Sequence, residues 1–325
     1  MIFKTAFSGI LFTILIAAFA LTISTVFPFL NSILIGLLLG IVIGNFFKLP
    51  SKLSPGISLT GSKVLEFSIL FLAFGINYSY MGKIGWQSFL LVAVVVFAVL
   101  IFSVFLSKKM NCPSTVGWMV GFGTAICGSS AIAALAPSLN KNKEDVGVAM
   151  AVVNLFGTLG MLFLPLILTL FSFSTTEISL LLGGTLHSVG NVAGAAFAIS
   201  PDVGDQALTI KLARVALLSP GLIFFSFLTQ DNKGKNWKSY FQLPWYLWGF
   251  ILITVFVSLF EIPQSFIDFS SEIGKVLLTV AMTAIGLKVS FSALIQSGKK
   301  GLFYGFLIFL FQIILILLGI FFVIN

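Results

Sequence analysis

The residues able to do chemistry in this chain are embedded in apolar stretches. One stretch holds Cys127, Gly128, Ser129 and Ser130. A second holds His187, Ser188 and Asn191, a third Lys211 and Arg214, and a fourth Gly286 and Lys288. Hydroxyl and thiol groups beside glycine supply hydrogen-bonding partners where a helix can open. His187 and Asn191 stand at i and i+4 on one helix face, and Lys211 and Arg214 at i and i+3. No apolar stretch carries an aspartate at its centre or a pair of carboxylates. Three cations do lie in such stretches, and ionisable groups there are functional candidates. That balance points to a small anion as the bound species. Glu66, Asn77 and Asn154 read as structural polar groups. Serine with histidine could also form a nucleophile and base, which makes an intramembrane hydrolase an alternative. The chain has a single histidine, and the elbow pattern around such a serine is missing.

These residues need elements to hold them, and composition says which. Of 325 residues, 58% are hydrophobic, 9% are charged and 37 are Phe. A soluble domain carries about 25% charged residues. The excess apolar surface requires lipid, so the chain reads as an all-α polytopic membrane protein. The net charge of +8 does not indicate nucleic acid, because the lysines sit mostly in short loops, as membrane topology requires. Cys112 and Cys127 form no metal-ligand pattern and no expected disulfide. No cofactor and no nucleotide motif is implied. Lipid is the evident partner, and a coupling ion and a homodimer stay open.

Eleven apolar runs approach the length of about 20 residues that a bilayer demands. They cover 8–27, 29–47, 62–80, 86–106, 115–138, 146–171, 177–199, 206–229, 244–262, 269–291 and 301–323. The first reads as a retained helix rather than a cleaved signal. Counted as eleven crossings, one side holds ten lysines: Lys4, Lys48, Lys52, Lys108, Lys109, Lys233, Lys235, Lys238, Lys299 and Lys300. The other side holds three, Lys83, Lys141 and Lys143. The expected N-terminus is therefore cytoplasmic and the C-terminus external, in a bacterial inner membrane.

Residues 124–135 and 283–294 match without a gap at five of twelve positions, and Lys141 then falls on Lys300. The fifth and tenth runs are five apart and opposite in sense. We expect inverted five-helix repeats over 29–172 and 173–325, with residues 1–28 an added helix. We expect breaks near Gly128 and Gly286 where these two helices cross. Such a break exposes backbone groups that only a cavity or ligand can accept. Close helix packing is the competing reading of the small residues. The candidate binding set is Cys127, Gly128, Ser129, Ser130, His187, Asn191, Arg214, Gly286 and Lys288. The function expected is secondary transport by alternating access of a small anion, sulfate-like or organic. A coupled transporter of a non-anionic solute and a channel are further alternatives.

The run Thr124-Ala125-Ile126-Cys127-Gly128-Ser129-Ser130-Ala131-Ile132-Ala133-Ala134 is followed by the His187 segment. Lys211-Leu212-Ala213-Arg214-Val215 with Pro220, and then Ala284-Ile285-Gly286-Leu287-Lys288, complete the series. Together they resemble the YeiH-like family of bacterial inner-membrane proteins, over nearly the whole chain. Members carry the label of sulfate exporters. The resemblance implies a fold like that of bile-acid transporters or sodium–proton antiporters, with crossed, broken helices. Ser188 stands where relatives carry an acid, so coupling through that acid is not carried over.

Overall fold

A computed structural model describes residues 2–26, 31–76, 84–110, 112, 114–139, 143–229, 244–289 and 299–324. All described elements are helical. They are α1 (Ile2–Val26), α2 (Ser32–Phe46), α3 (Ser51–Gly75, with a wide π turn at Thr60–Val64) and α4 (Trp86–Lys109). Then come α5 (Ser114–Ala125), α6 (Ser129–Leu139, ending in a 3-10 turn), α7 (Lys143–Leu168), α8 (Thr175–Thr185) and α9 (Val189–Ile199). The last five are α10 (Pro201–Ala216), α11 (Leu218–Thr229), α12 (Trp245–Leu259), α13 (Gln264–Lys288) and α14 (Lys299–Gly319). Seven of the helical segments are long and apolar enough to cross a membrane. The protein is a multi-pass membrane protein.

The eleven apolar runs are largely helical where described, but two of them fold back on themselves as hairpins. Thr115 Oγ1, at the start of α5, lies 3.3 Å from Asp145 Oδ2, at the start of α7. Further along, Gly123 of α5 packs on Val153 of α7. The two helices therefore run side by side in one direction. The intervening α6 must return the chain from the end of α5 to the face where it began. Its 11 residues, at 1.5 Å each, are about the length that return needs. The same device recurs with α8, α9 and α10. Ser179 Oγ donates to Val203 O at 3.3 Å, and Gly183 packs on Ala207 O and Ile210. Because α7 runs between the two units, the hairpins α5–α6 and α8–α9 enter from opposite faces.

Their tips meet. A Cβ added at Gly128 would stand 3.6 Å from the His187 carbonyl. Gly128 has φ +74° and ψ −136°, a backbone region that only glycine occupies readily. Among the described residues, α1, α2, α3, α4, α7, the α10–α11 pair, α12, α13 and α14 remain as through-running elements. Pro220 explains the joint at Leu217, since it lacks an N–H and crowds the carbonyl four residues back.

The helices form two bundles. One contains α1, α2, α3, α12 and α13; the other contains both hairpins with α4, α7, α10, α11 and α14. They touch mainly where α9 packs on α2 and α13. The expected break at Gly286 is absent: α13 is continuous from Gln264 to Lys288. A methyl on Gly286 would meet Leu37 O and, at 3.0 Å, the Gly40 Cα, so this glycine permits close packing of α13 on α2. The crossing of interrupted segments is real, but its partners are residues 114–139 and 175–199. Of the matched run 283–294, residues 290–294 lie outside the described residues, as does Asn77.

Candidate functional site

A helix leaves its last four carbonyls without partners, and its C-terminal end carries partial negative charge. At the hairpin tips two such ends, those of α5 and α8, face each other inside the protein. Each carbonyl is accounted for on the α5 side. Phe122 O accepts from Ile126 N and Gly123 O from Gly128 N. Thr124 O accepts from Arg214 Nη2 at 2.7 Å and Ala125 O from Arg214 Nε at 3.0 Å. Ile126 O accepts from Lys211 Nζ at 2.6 Å. From the other tip, Gly183 O and Leu186 O accept from Arg214 Nη1 at 3.0 and 3.1 Å. Leu186 O and His187 O also accept from Lys211 Nζ at 2.8 and 2.6 Å. Gly184 O is taken by Gln312 Nε2.

Lys211 and Arg214 are both 0% exposed. Three acceptors around Lys211 match the three N–H groups of an ammonium, and a guanidinium is always charged. No carboxylate pairs with either among the described residues. The tips are thus bolted together by two buried positive charges that oppose the helix ends and retain their net charge.

Directly over this junction lies a cavity of about 620 Å³ between the two bundles. Its floor is made by the tips: Cys127, Ser130, Ser188, Gly190 and Asn191. Ser188 Oγ caps α9 by accepting from Asn191 N at 3.0 Å. Asn154 of α7 lines the cavity and accepts from Ser129 Oγ at 2.7 Å. The walls extend toward the ends of α3, α7, α12 and α13 through Glu66, Gly147, Tyr246 and Lys288. Those ends share a face with Lys48, Lys52, Lys108, Lys109 and Lys300 among the described residues. Glu66 is held there by Lys63 Nζ at 2.8 Å and Trp245 Nε1 at 2.7 Å. Toward the opposite face the bundles close. Gly194 packs on Met282, and Asn31 Nδ2 donates to Phe197 O at 2.6 Å.

The family model described as Conserved hypothetical protein 698 matches residues 8–305. The UPF0324 membrane protein YdhF of Lactococcus lactis is 32% identical over 307 residues, covering 90% of this chain and 91% of its own. The chain belongs to the UPF0324 family. The UPF0324 inner membrane protein YeiH of Escherichia coli K12 is 29% identical over 291 residues, or 87% of this chain and 83% of that protein. Among solved structures, the sodium proton antiporter MjNhaP1 of Methanocaldococcus jannaschii aligns with 95% of this chain and all of its own. At 15% identity and a TM-score of 0.30, that likeness carries no argument.

In this UPF0324 protein the candidate residues separate into three groups. Cys127, Ser130, Asn191 and Lys288 line the cavity. Gly128 and Ser129 shape its floor without bounding it, Gly128 as the turn and Ser129 through Asn154. His187, Arg214 and Gly286 are elsewhere. His187 is 1% exposed behind the second tip, its ring 4.9 Å from Phe309, and its Nδ1 has no partner among the described residues. Arg214 binds carbonyls, and Gly286 packs on α2. Ser188, Asn154 and Thr158 are polar lining residues that the sequence reading left out of the site. Ser188 could have been found by its place directly after His187, which parallels Gly128 after Cys127. Both cysteines are free.

Proposed function

We propose that this UPF0324 protein is a secondary transporter of an anion that works by alternating access between its two bundles. The carrying observation is the cavity floor. Polar tip groups sit over two buried cations that have no carboxylate partner among the described residues, which makes the floor electropositive although neither cation projects into it. The cavity lies between bundles that touch along a limited seam, which is where rocking or sliding would expose it to each side in turn. The conformation described is the one open toward the lysine-rich face. The hydrolase reading loses support because Ser129 is bonded to Asn154 and His187 lies behind the floor. Saturable, trans-stimulated uptake of an anion into proteoliposomes is the expected result. Unsaturable flux would mark a channel, and exclusive transport of a cation would overturn the anion reading.

We further infer that the N-terminus is cytoplasmic and the C-terminus external, in the inner membrane named for the Escherichia coli relative. Two re-entrant hairpins lower the crossings by two and leave the ends as they were. They also move Lys141 and Lys143 to the lysine-rich side, so the loop tally becomes twelve lysines against Lys83 alone. The division at 172/173 falls between the two hairpin units, which favours a duplication pairing 114–168 with 175–229. A cysteine placed at Lys141 should react with membrane-impermeant maleimide from the cytoplasmic side, as should one at Lys235. Labelling of position 141 from outside would restore eleven crossings.

A further inference from the structure

We propose that the solute taken by this cavity is an amphiphilic organic monoanion: a carboxylate or sulfonate head joined to an apolar body of roughly six or more carbons. The inference deepens the anion-transport reading and rests on it. Size is the first reason. The cavity holds about 620 Å³, within the range of roughly 300–1,000 Å³ typical of sites for organic ligands. One water occupies about 30 Å³ of liquid, and an inorganic oxyanion displaces only a few such volumes. Most of the space would be left to water against an apolar wall.

The second reason is segregation. Polar groups gather at the tips, at Asn154 and Thr158, and on α3 at Ser58, Ser62 and Glu66, whereas Leu65, Ile69, Leu155, Leu159, Leu162 and Ile285 form the apolar lining, the three leucines lying past Asn154 along α7 from the mouth. This is the arrangement that orients a molecule with one polar end and one apolar end. The apolar body contributes by leaving water, and the few polar groups fix its direction.

The third reason is charge. The floor presents hydroxyl, thiol and amide groups, because Lys211 and Arg214 spend their N–H groups on carbonyls. Lys288 stands at the mouth, away from the tips. The cost of desolvating an ion rises with the square of its charge, and a dianion such as sulfate would need direct ion pairing to offset it. A monoanion can be held by neutral donors with the field of the two buried cations behind them.

The test is binding to the full chain in nanodiscs, using a series of straight-chain carboxylates from butyrate to octanoate, with sulfate, octanol and octylamine as comparisons. Affinity is expected to rise about two- to fourfold per added methylene. Sulfate, octanol and octylamine should each bind at least about tenfold more weakly than octanoate, one decade being the scale of a single lost polar contact. Ala151→Trp, which fills the wall, and Leu159→Ser, which makes it polar, should each flatten the dependence on chain length. Sulfate binding as tightly as octanoate overturns the proposal. So does a chain-length slope that survives in both variants, since it would report partition into lipid. Length-dependent binding without trans-stimulated flux would support the ligand class and overturn the transport reading. Saturable sulfate flux with no length dependence would do the reverse.

Discussion

The hairpin junction and the α2–α13 seam both bring backbone against backbone through small residues, and they solve opposite problems. At the seam, Gly36, Gly40 and Gly44 of α2 face Thr283, Gly286 and Leu287 of α13 across two unbroken helices. Along most of the seam the main-chain groups are paired within their own helices, so contact requires mainly the absence of side chains. At the junction the helices stop. Two negative ends meet away from water, and small residues alone would leave their carbonyls orphaned. Lys211 and Arg214 supply seven carbonyl contacts and the compensating charge. A run of small residues therefore marks closeness of backbone. Whether that closeness is packing or an opened helix depends on what stands opposite.

Arg214→Met offers the strongest way to break this comparison. It strands the carbonyls of Thr124, Ala125 and Gly183, each costing about 1–3 kcal/mol when buried and unpaired, while Leu186 O keeps Lys211. The expected outcome is loss of monodisperse protein on detergent gel filtration. A folded Arg214→Met protein of unchanged thermal stability that had lost only anion binding would return the arginine to the ligand set. Gly40→Val should come next, because its side chain would run into Thr283 O and Leu287 N. Overpacking of this kind costs about 1–3 kcal/mol or more, measured as a fall in melting temperature. Equal affinity for anion in the surviving fraction would confirm that the seam holds structure alone.

Gly128→Ala sharpens the junction side. No atom comes nearer than 3.6 Å to a Cβ added at Gly128, so the cost is one of backbone conformation, about 1–3 kcal/mol in this glycine region. It should shift melting modestly and weaken anion binding, because the tip carries Cys127 and Ser130. Ser130→Ala should have the smallest effect on folding, within about 0.5 kcal/mol. A lost hydrogen bond of about 0.5–1.5 kcal/mol would weaken affinity roughly two- to tenfold, read by titration. An unchanged affinity would remove Ser130 from the floor.

Much of this arrangement was legible in the residues. The opening at Gly128 announced itself through Cys-Gly-Ser-Ser in an apolar run, whereas His187-Ser188 with Asn191 read only as the polar face of a continuous helix. The partner of that first opening was not legible. Residues 283–288 resemble 124–129 in composition, and a glycine in a helix reads alike in both roles. Arg214 likewise read as a ligand group because a buried cation has two uses, holding an anion or holding carbonyls, and its own residue type does not distinguish them. The minority lysines Lys141 and Lys143 were the overlooked clue, since moving them to the majority side requires a hairpin rather than a crossing.

By itself the chain determined the solvent it lives in, the positions of its apolar helices and the opening at Gly128. Those follow from composition and from neighbours close in sequence, where hydropathy and backbone propensity act locally. Tertiary structure decided that α5 and α8 turn back, that their tips meet, and that Lys211 and Arg214 bind main chain while Lys288 reaches the cavity. These outcomes depend on which groups satisfy a carbonyl or a charge across separations such as the 90 residues between Thr124 and Arg214. Only the folded arrangement selects that partner from the many that the apolar interior would otherwise leave unmet.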